Sequence, residues 1–230
     1  MAQHRPAELE RARRRARHAR EALDHRNPNW SAQLIVGGAI LLGLALPAEL
    51  RIGNRWLIPA CEAVLLAGLI AWTPNSPSRE DPRRRLLRLA LISVVSAVNV
   101  VALFLLMQDL LAGGKADGRS LLVGGAVLWL TSVLLFAVWF WEVDRGGPVR
   151  RLVGDDGEAD FLFPQMEQAG DGWEPTMGDY LYLSLTNAAS FTPAEAYPLT
   201  GSAKLALSIQ TVTSLATTTV VLAYAINSLN

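Results

Sequence analysis

The sequence predicts an all-α integral membrane protein: five transmembrane helices, with a re-entrant half-helix and an extended segment between the fourth and fifth. Three observations carry that prediction. Four apolar runs, Trp30–Leu50, Arg55–Trp72, Leu86–Ala112 and Ser120–Trp141, are long enough to cross a bilayer, which takes about 20 helical residues. A fifth, Ala203–Leu229, is more polar. Between the last two, the stretch from Asp179 starts as an apolar helix and stops short at "SFTPAE". A water-soluble domain would need five buried helices in a small volume. A β-barrel is excluded, because barrel strands alternate rather than run continuously apolar.

The chain opens on a basic segment, residues 1–28, with eight arginines and four acids. It lacks the apolar centre and the cleavage site of a secretory signal. Pro6 suits a first helical turn and Asn27–Pro28 a stop. Two readings stand: a helix lying on anionic lipid headgroups, or a solvated cytoplasmic tail. Nucleic-acid binding is not expected of it. Residues 29–112 follow as a bundle of three spans joined by "AELRIGN" and "TPNSPSREDPRRR". Residues 113–230 form a second module: span 120–141, an acidic loop 142–178, the re-entrant stretch 179–200 and span 203–229.

Positive charge sets the orientation. Basic residues flanking spans stay on the cytoplasmic side. With the N-terminus inside and five crossings, 17 of the 21 basic residues lie inside. Arg51, Arg55, Lys115 and Arg119 remain outside. The acidic loop and the re-entrant stretch are then cytoplasmic, and the C-terminus is outside.

Thr176 or Asp179 can cap a helix beginning near Met177, and Asp179 suits the positive end of its dipole. Pro193 cannot continue that helix, and it pushes Thr192 toward extended geometry. The predicted path is helix in, extended segment out, then the last span. Such backbone is tolerated at membrane depth only inside protein or beside water. The competing reading lays Met177–Ala189 flat at the interface. On the last span, Thr211, Ser214, Thr217 and Thr218 share a polar stripe that Gln210 extends. A wet pathway beside a re-entrant loop needs such a stripe, although helix packing alone also accounts for some of these hydroxyls.

The order span, short helix, extended segment, "P-x-T", span resembles the pore domain of the potassium-channel superfamily. Pro198–Leu199–Thr200 takes the "P-x-T" place. Ser190, Phe191, Thr192, Pro193 and Ala194 stand where the filter would be, and Glu195 stands where its aspartate would be. Both filter glycines are absent, so potassium selectivity of the usual kind is not implied. Over most of its length the chain resembles a bacterial family of uncharacterised membrane proteins, domain of unknown function number thirteen forty-five. The shared features are "DYLYLS" from Asp179, the segment Ser190–Glu195 and the closing "AIN" from Ala225.

The resemblance implies a pore-type half-helix, a filter-like segment and four copies around an axis in a bacterial cell membrane. The expected function is a homotetrameric cation channel whose filter centres on Glu195. A non-conducting scaffold or accessory protein is the alternative, and a small-solute transporter a third. Permeant cations and the lipid bilayer are the expected partners.

Glu62 is an ionisable residue inside the second span, a functional candidate by default unless it pairs with Arg51 or Arg55. Asn99, with Ser93 and Ser96, forms a polar line suited to helix–helix hydrogen bonding. Trp139, Trp141 and Glu142 read as an aromatic belt followed by water. Gly37, Gly38, Gly43, Gly124 and Gly125 allow close helix contact. The single cysteine, Cys61, makes no intrachain disulfide. The three histidines, His4, His18 and His25, lie in the tail. With no nucleophile–base pair or metal cluster in view, neither enzymatic activity nor a cofactor is expected.

Overall fold

The computed structural model describes residues 30–47, 60, 63–64, 66–67, 82–111, 118–153, 157–169, 173–190, 192 and 196–227. Glu62, Phe191, Pro193, Ala194 and Glu195, together with the basic tail, lie outside the described residues.

In chain order the elements are α1 (Trp30–Leu44), α2 (Pro82–Leu111), α3 (Gly118–Val143), α4 (Pro148–Val153), β1 (Phe161–Leu162), α5 (Pro164–Ala169), α6 (Met177–Ser190), β2 (Tyr197–Pro198) and α7 (Gly201–Asn227). Among the described residues, three helices are long and apolar enough to cross a membrane: Arg85–Gln108, Arg119–Gly146 and Gly201–Ala223. α1 is apolar but shorter, at 15 residues. The helix starts follow local chemistry. Pro82 and Pro148 occupy first-turn positions, where a missing N–H costs nothing. Thr200 precedes α7, and its Oγ1 accepts the Ala203 N–H at 3.3 Å, an N-cap bond.

α3 is the central helix and packs against α1, α2, α6 and α7. Its covered share is accordingly the largest, 61% of the span against 39% for α2 and 28% for α7. α2 runs antiparallel to α3 with polar contacts at three levels. Arg88 pairs with Glu142, the Trp139 indole N–H donates to Ser96 Oγ, and Asn99 Nδ2 donates to the Leu128 carbonyl. Near the other end of α3, a Cβ on Gly125 would lie 2.2 Å from Val221 Cγ2. Glycine there lets α7 approach.

The direction of α6 follows from its bonds. The Tyr180 hydroxyl donates to Asp144 at the end of α3, and Ser184 Oγ donates to the Val133 carbonyl one stretch back along it. α6 therefore starts at the Asp144 end and runs back beside α3. α7 starts at the same end, since Thr200 and Ser202 both bond Asp160 beside Asp144. Ser190, the last residue of α6, and Tyr197, the first of β2, are separated by six residues. Ala196 is buried and lines a cavity with Asp179 and Tyr182 of α6. β2 then pairs antiparallel with β1, Phe161 opposite Pro198 and Leu162 opposite Tyr197.

One finding corrects the sequence reading. Glu142 does not mark the water boundary: it is 1% exposed and Arg88 Nε lies 2.8 Å from its Oε1. The acidic loop carries structure of its own among the described residues. It holds α4, β1 and α5, with Asp144, Arg151 and Asp160 all buried.

Candidate functional site

The densest polar chemistry lies where α3 ends. Arg145, Gly146 and Gly147 all have positive φ, 51°, 77° and 105°, a run that only glycine adopts freely. This turn reverses the chain and directs the Asp144 carboxylate inward. Asp144 Oδ1 accepts the backbone N–H groups of Asp160 (2.9 Å) and Phe161 (3.3 Å). Its Oδ2 accepts the Tyr180 hydroxyl, with Arg151 Nη1 at 3.9 Å.

Arg151 donates from Nη1 to the carbonyls of Trp141 (3.0 Å) and Asp144 (2.6 Å). Trp141 lies in the last turn of α3 and Asp144 directly after it, at the helix end whose dipole favours a cation. The guanidinium also lies over the Trp141 ring, 4.3 Å from its centroid. Asp160 plays the complementary part at the start of α7. Its carboxylate accepts the Arg145 N–H and the hydroxyls of Thr200 and Ser202, placing negative charge at a helix N-terminus.

The two aspartates thus form a reciprocal clasp. Each carboxylate accepts a backbone N–H beside the other, and together they tie α3, α6, β1 and α7 into one corner. Trp141, Phe161 and Phe163 close around the Tyr180 ring. Burial, above all, pushes the Tyr180 phenol well above its ordinary range, so it remains a donor.

A second polar group ties α6 to α7. Gln210 Nε2 donates to Ser184 Oγ (2.6 Å) and to the Ser184 carbonyl (2.9 Å). Its Oε1 accepts from Asn187 Nδ2 at 2.9 Å. Asn187 also donates to the Leu207 carbonyl and accepts from Thr211 Oγ1.

The expected stripe on the last span is therefore divided. Gln210, Ser214 and Thr217 are buried within this chain, Thr211 is half-buried and Thr218 is exposed. The physical reason is that a buried amide is better satisfied by α6 than left toward apolar surroundings. Thr217 and Thr218 do meet in a groove of about 390 Å³ between α3 and α7, but its other lining, including Trp129 and Val221, is apolar. Of the expected extended segment, Ser190 ends α6 and is exposed, and Thr192 is exposed.

Reading the sequence alone gave Tyr180 and Thr200 only as parts of resembling motifs and did not single out Asp144, Arg151 or Asp160 as site residues. The available signal was the order "VDRGGPVRR" directly after an apolar run, an acid followed by two glycines and paired arginines.

The described residues form a mostly helical fold with three helices long and apolar enough to cross a membrane, in which the 14-residue α6 and the longer α7 start from one end of α3. No family model matches the chain, and no curated protein or solved structure matches it.

Proposed function

We propose that this chain is a channel-like membrane protein, one subunit of a symmetric assembly around a cation path. The observation that carries the reading is the shared starting end of α6 and α7. α6 has 14 residues, so it extends roughly 21 Å, about two-thirds of a hydrocarbon core. The six residues after it reach at most about 20 Å when extended. A short helix followed by a connection long enough to bring the chain back to the end it started from is what a re-entrant loop requires. Backbone of this kind needs shelter from lipid, and a single copy cannot enclose an axis, so further copies supply the wall. The resemblance to the potassium-channel superfamily makes four the expected number, with Glu195 as the carboxylate ring at the mouth.

A non-conducting scaffold is the second reading, favoured by one observation. The amide and hydroxyl groups of Gln210, Asn187 and Ser184 are spent inside the chain, so that part of α7 offers no polar wall.

The test is purified protein in liposomes, with its mass in lipid measured in parallel. A tetramer that passes monovalent cations, with reduced cation preference in Glu195→Gln, supports the channel. A monomer with no flux supports the scaffold.

A further inference from the structure

α6 lies in the crevice between α3 and α7, bonded to the Val133 carbonyl on one wall and to Gln210 on the other. It stops at Ser190, and the crevice runs on past it. Trp129, one turn beyond Val133, and Thr217, two turns beyond Gln210, line the groove of about 390 Å³ with Gly125, Ala126, Thr218 and Val221. That volume falls among pockets that hold small ligands, about 300–1,000 Å³. Its walls are apolar apart from two threonines, of which Thr217 donates its hydroxyl to the Thr213 carbonyl and Thr218 is exposed. The groove also has a definite depth. Ala126 and Leu130, both lining it, follow Arg119 by seven and eleven residues, so they lie about 10 and 16 Å below it along α3. Half of a hydrocarbon core is about 15 Å. With Arg119 at the surface, the groove lies among the lipid tails of the leaflet at that end.

We propose that this face of α3 and α7 binds an anionic phospholipid, with its phosphate at Arg119 and one acyl chain in the groove. Arg119, Val123, Ala126 and Leu130 are all exposed and recur at helical spacing, so they share one face. A strip of α3 therefore runs from a cation at headgroup level into the groove. Arg119 has no ion pair among the described residues, and the first turn of α3 carries no acid. Lys115 and Asp117 precede it in sequence and offset each other. The positive end of the α3 dipole adds to the attraction for an anion. A second copy of this chain that filled the groove with side chains would leave Arg119 without a counter-charge. A phospholipid meets both features at once. The site does not depend on conduction and stands if the channel reading fails.

The experiment titrates detergent-purified full-length protein with dioleoyl phosphatidylglycerol and follows the unfolding midpoint. A ligand that binds only the folded state raises it saturably. The expected result is such a rise, with half-saturation about fivefold higher for phosphatidylcholine of the same chains and about fivefold higher in Arg119→Gln. In that variant the two lipids become equivalent. Dihexanoyl phosphatidylglycerol, whose chains end short of the groove, gives no saturable rise. Ala126→Phe and Thr218→Phe, which fill the groove from its two walls, abolish the rise with the long-chain lipid. The absence of any saturable rise overturns the site, and so does a half-saturation unchanged in all three variants, which leaves ordinary bilayer contact. A rise lost in the groove variants but untouched by Arg119→Gln also overturns it, since the phosphate then lies elsewhere. A dimer in detergent that Ala126→Phe dissociates gives the groove to a second copy instead.

Discussion

Asp144 receives two backbone N–H groups, a phenol and a guanidinium in a place fully closed to solvent. Removing the carboxylate leaves both N–H groups and the phenol without their acceptor, and the Arg151 charge with only its carbonyl bonds. Breaking a buried charge pair by deleting one partner costs about 3–5 kcal/mol, because the remaining charge keeps its desolvation penalty. Removing one hydroxyl donor costs about 1–2 kcal/mol. Asp144→Ala is therefore expected to lower the unfolding midpoint in detergent several times more than Tyr180→Phe, which leaves Arg151 and both N–H groups still bonded to Asp144. Equal effects would mean that the phenol, not the carboxylate, holds the corner. Sequence could not pair Asp144 with Asp160. They lie 16 residues apart with no periodic pattern between them, and an acid after an apolar span reads as solvated. Only the positive-φ turn at Arg145–Gly147 turns it inward. Gln210, by contrast, stood out in sequence as a polar residue on an apolar helix, but its partners Ser184 and Asn187 depend on how α6 lies.

At the level of elements, α7 meets α3 through one close approach. The Gly125 position has Val221 Cγ2 at 2.2 Å from where a Cβ would stand. Overpacking of this kind costs about 1–3 kcal/mol. Gly125→Ala is expected to destabilise by that amount, and Val221→Ala in the same chain to recover most of it. Residues in contact couple by about 0.5–3 kcal/mol, so a double-mutant cycle by thermal unfolding reads the contact directly. Additive losses would show that α7 has room to shift. Apolar length and proline placement made the helices legible in sequence. The predicted runs at Leu86–Ala112, Ser120–Trp141 and Ala203–Leu229 correspond to α2, α3 and α7, each displaced by a few residues. A short helix at this place was legible too: a start near Met177 follows from the cap, since Asp179 Oδ2 accepts both the N–H and the hydroxyl of Thr176, and α6 ends at Ser190. The β1–β2 ladder was not legible, because two-residue strands carry no alternation to detect and Pro198 argues against a strand except at an edge.

For the whole molecule, two separate arguments bear on the side of the membrane on which each loop lies. The positive-inside rule makes the cytoplasmic side the expectation for the acidic loop and the start of the last span. Asp160, in that loop, bonds Thr200 and Ser202 at the start of α7, so these residues share one side whatever that side is. If α6 crossed the bilayer, residues 157–160 and Ser202 would lie on opposite faces, and this corner could not form. The chain has one cysteine, Cys61, so single-cysteine probes on a Cys61→Ser background report cleanly. Glu158 and Ser202 are both exposed, and Glu158→Cys and Ser202→Cys are expected to react with a membrane-impermeant maleimide only in inside-out vesicles. Labelling of the two from opposite faces would turn α6 into a full crossing, reverse α7, and remove the re-entrant geometry on which both the channel and the scaffold readings of this loop are built.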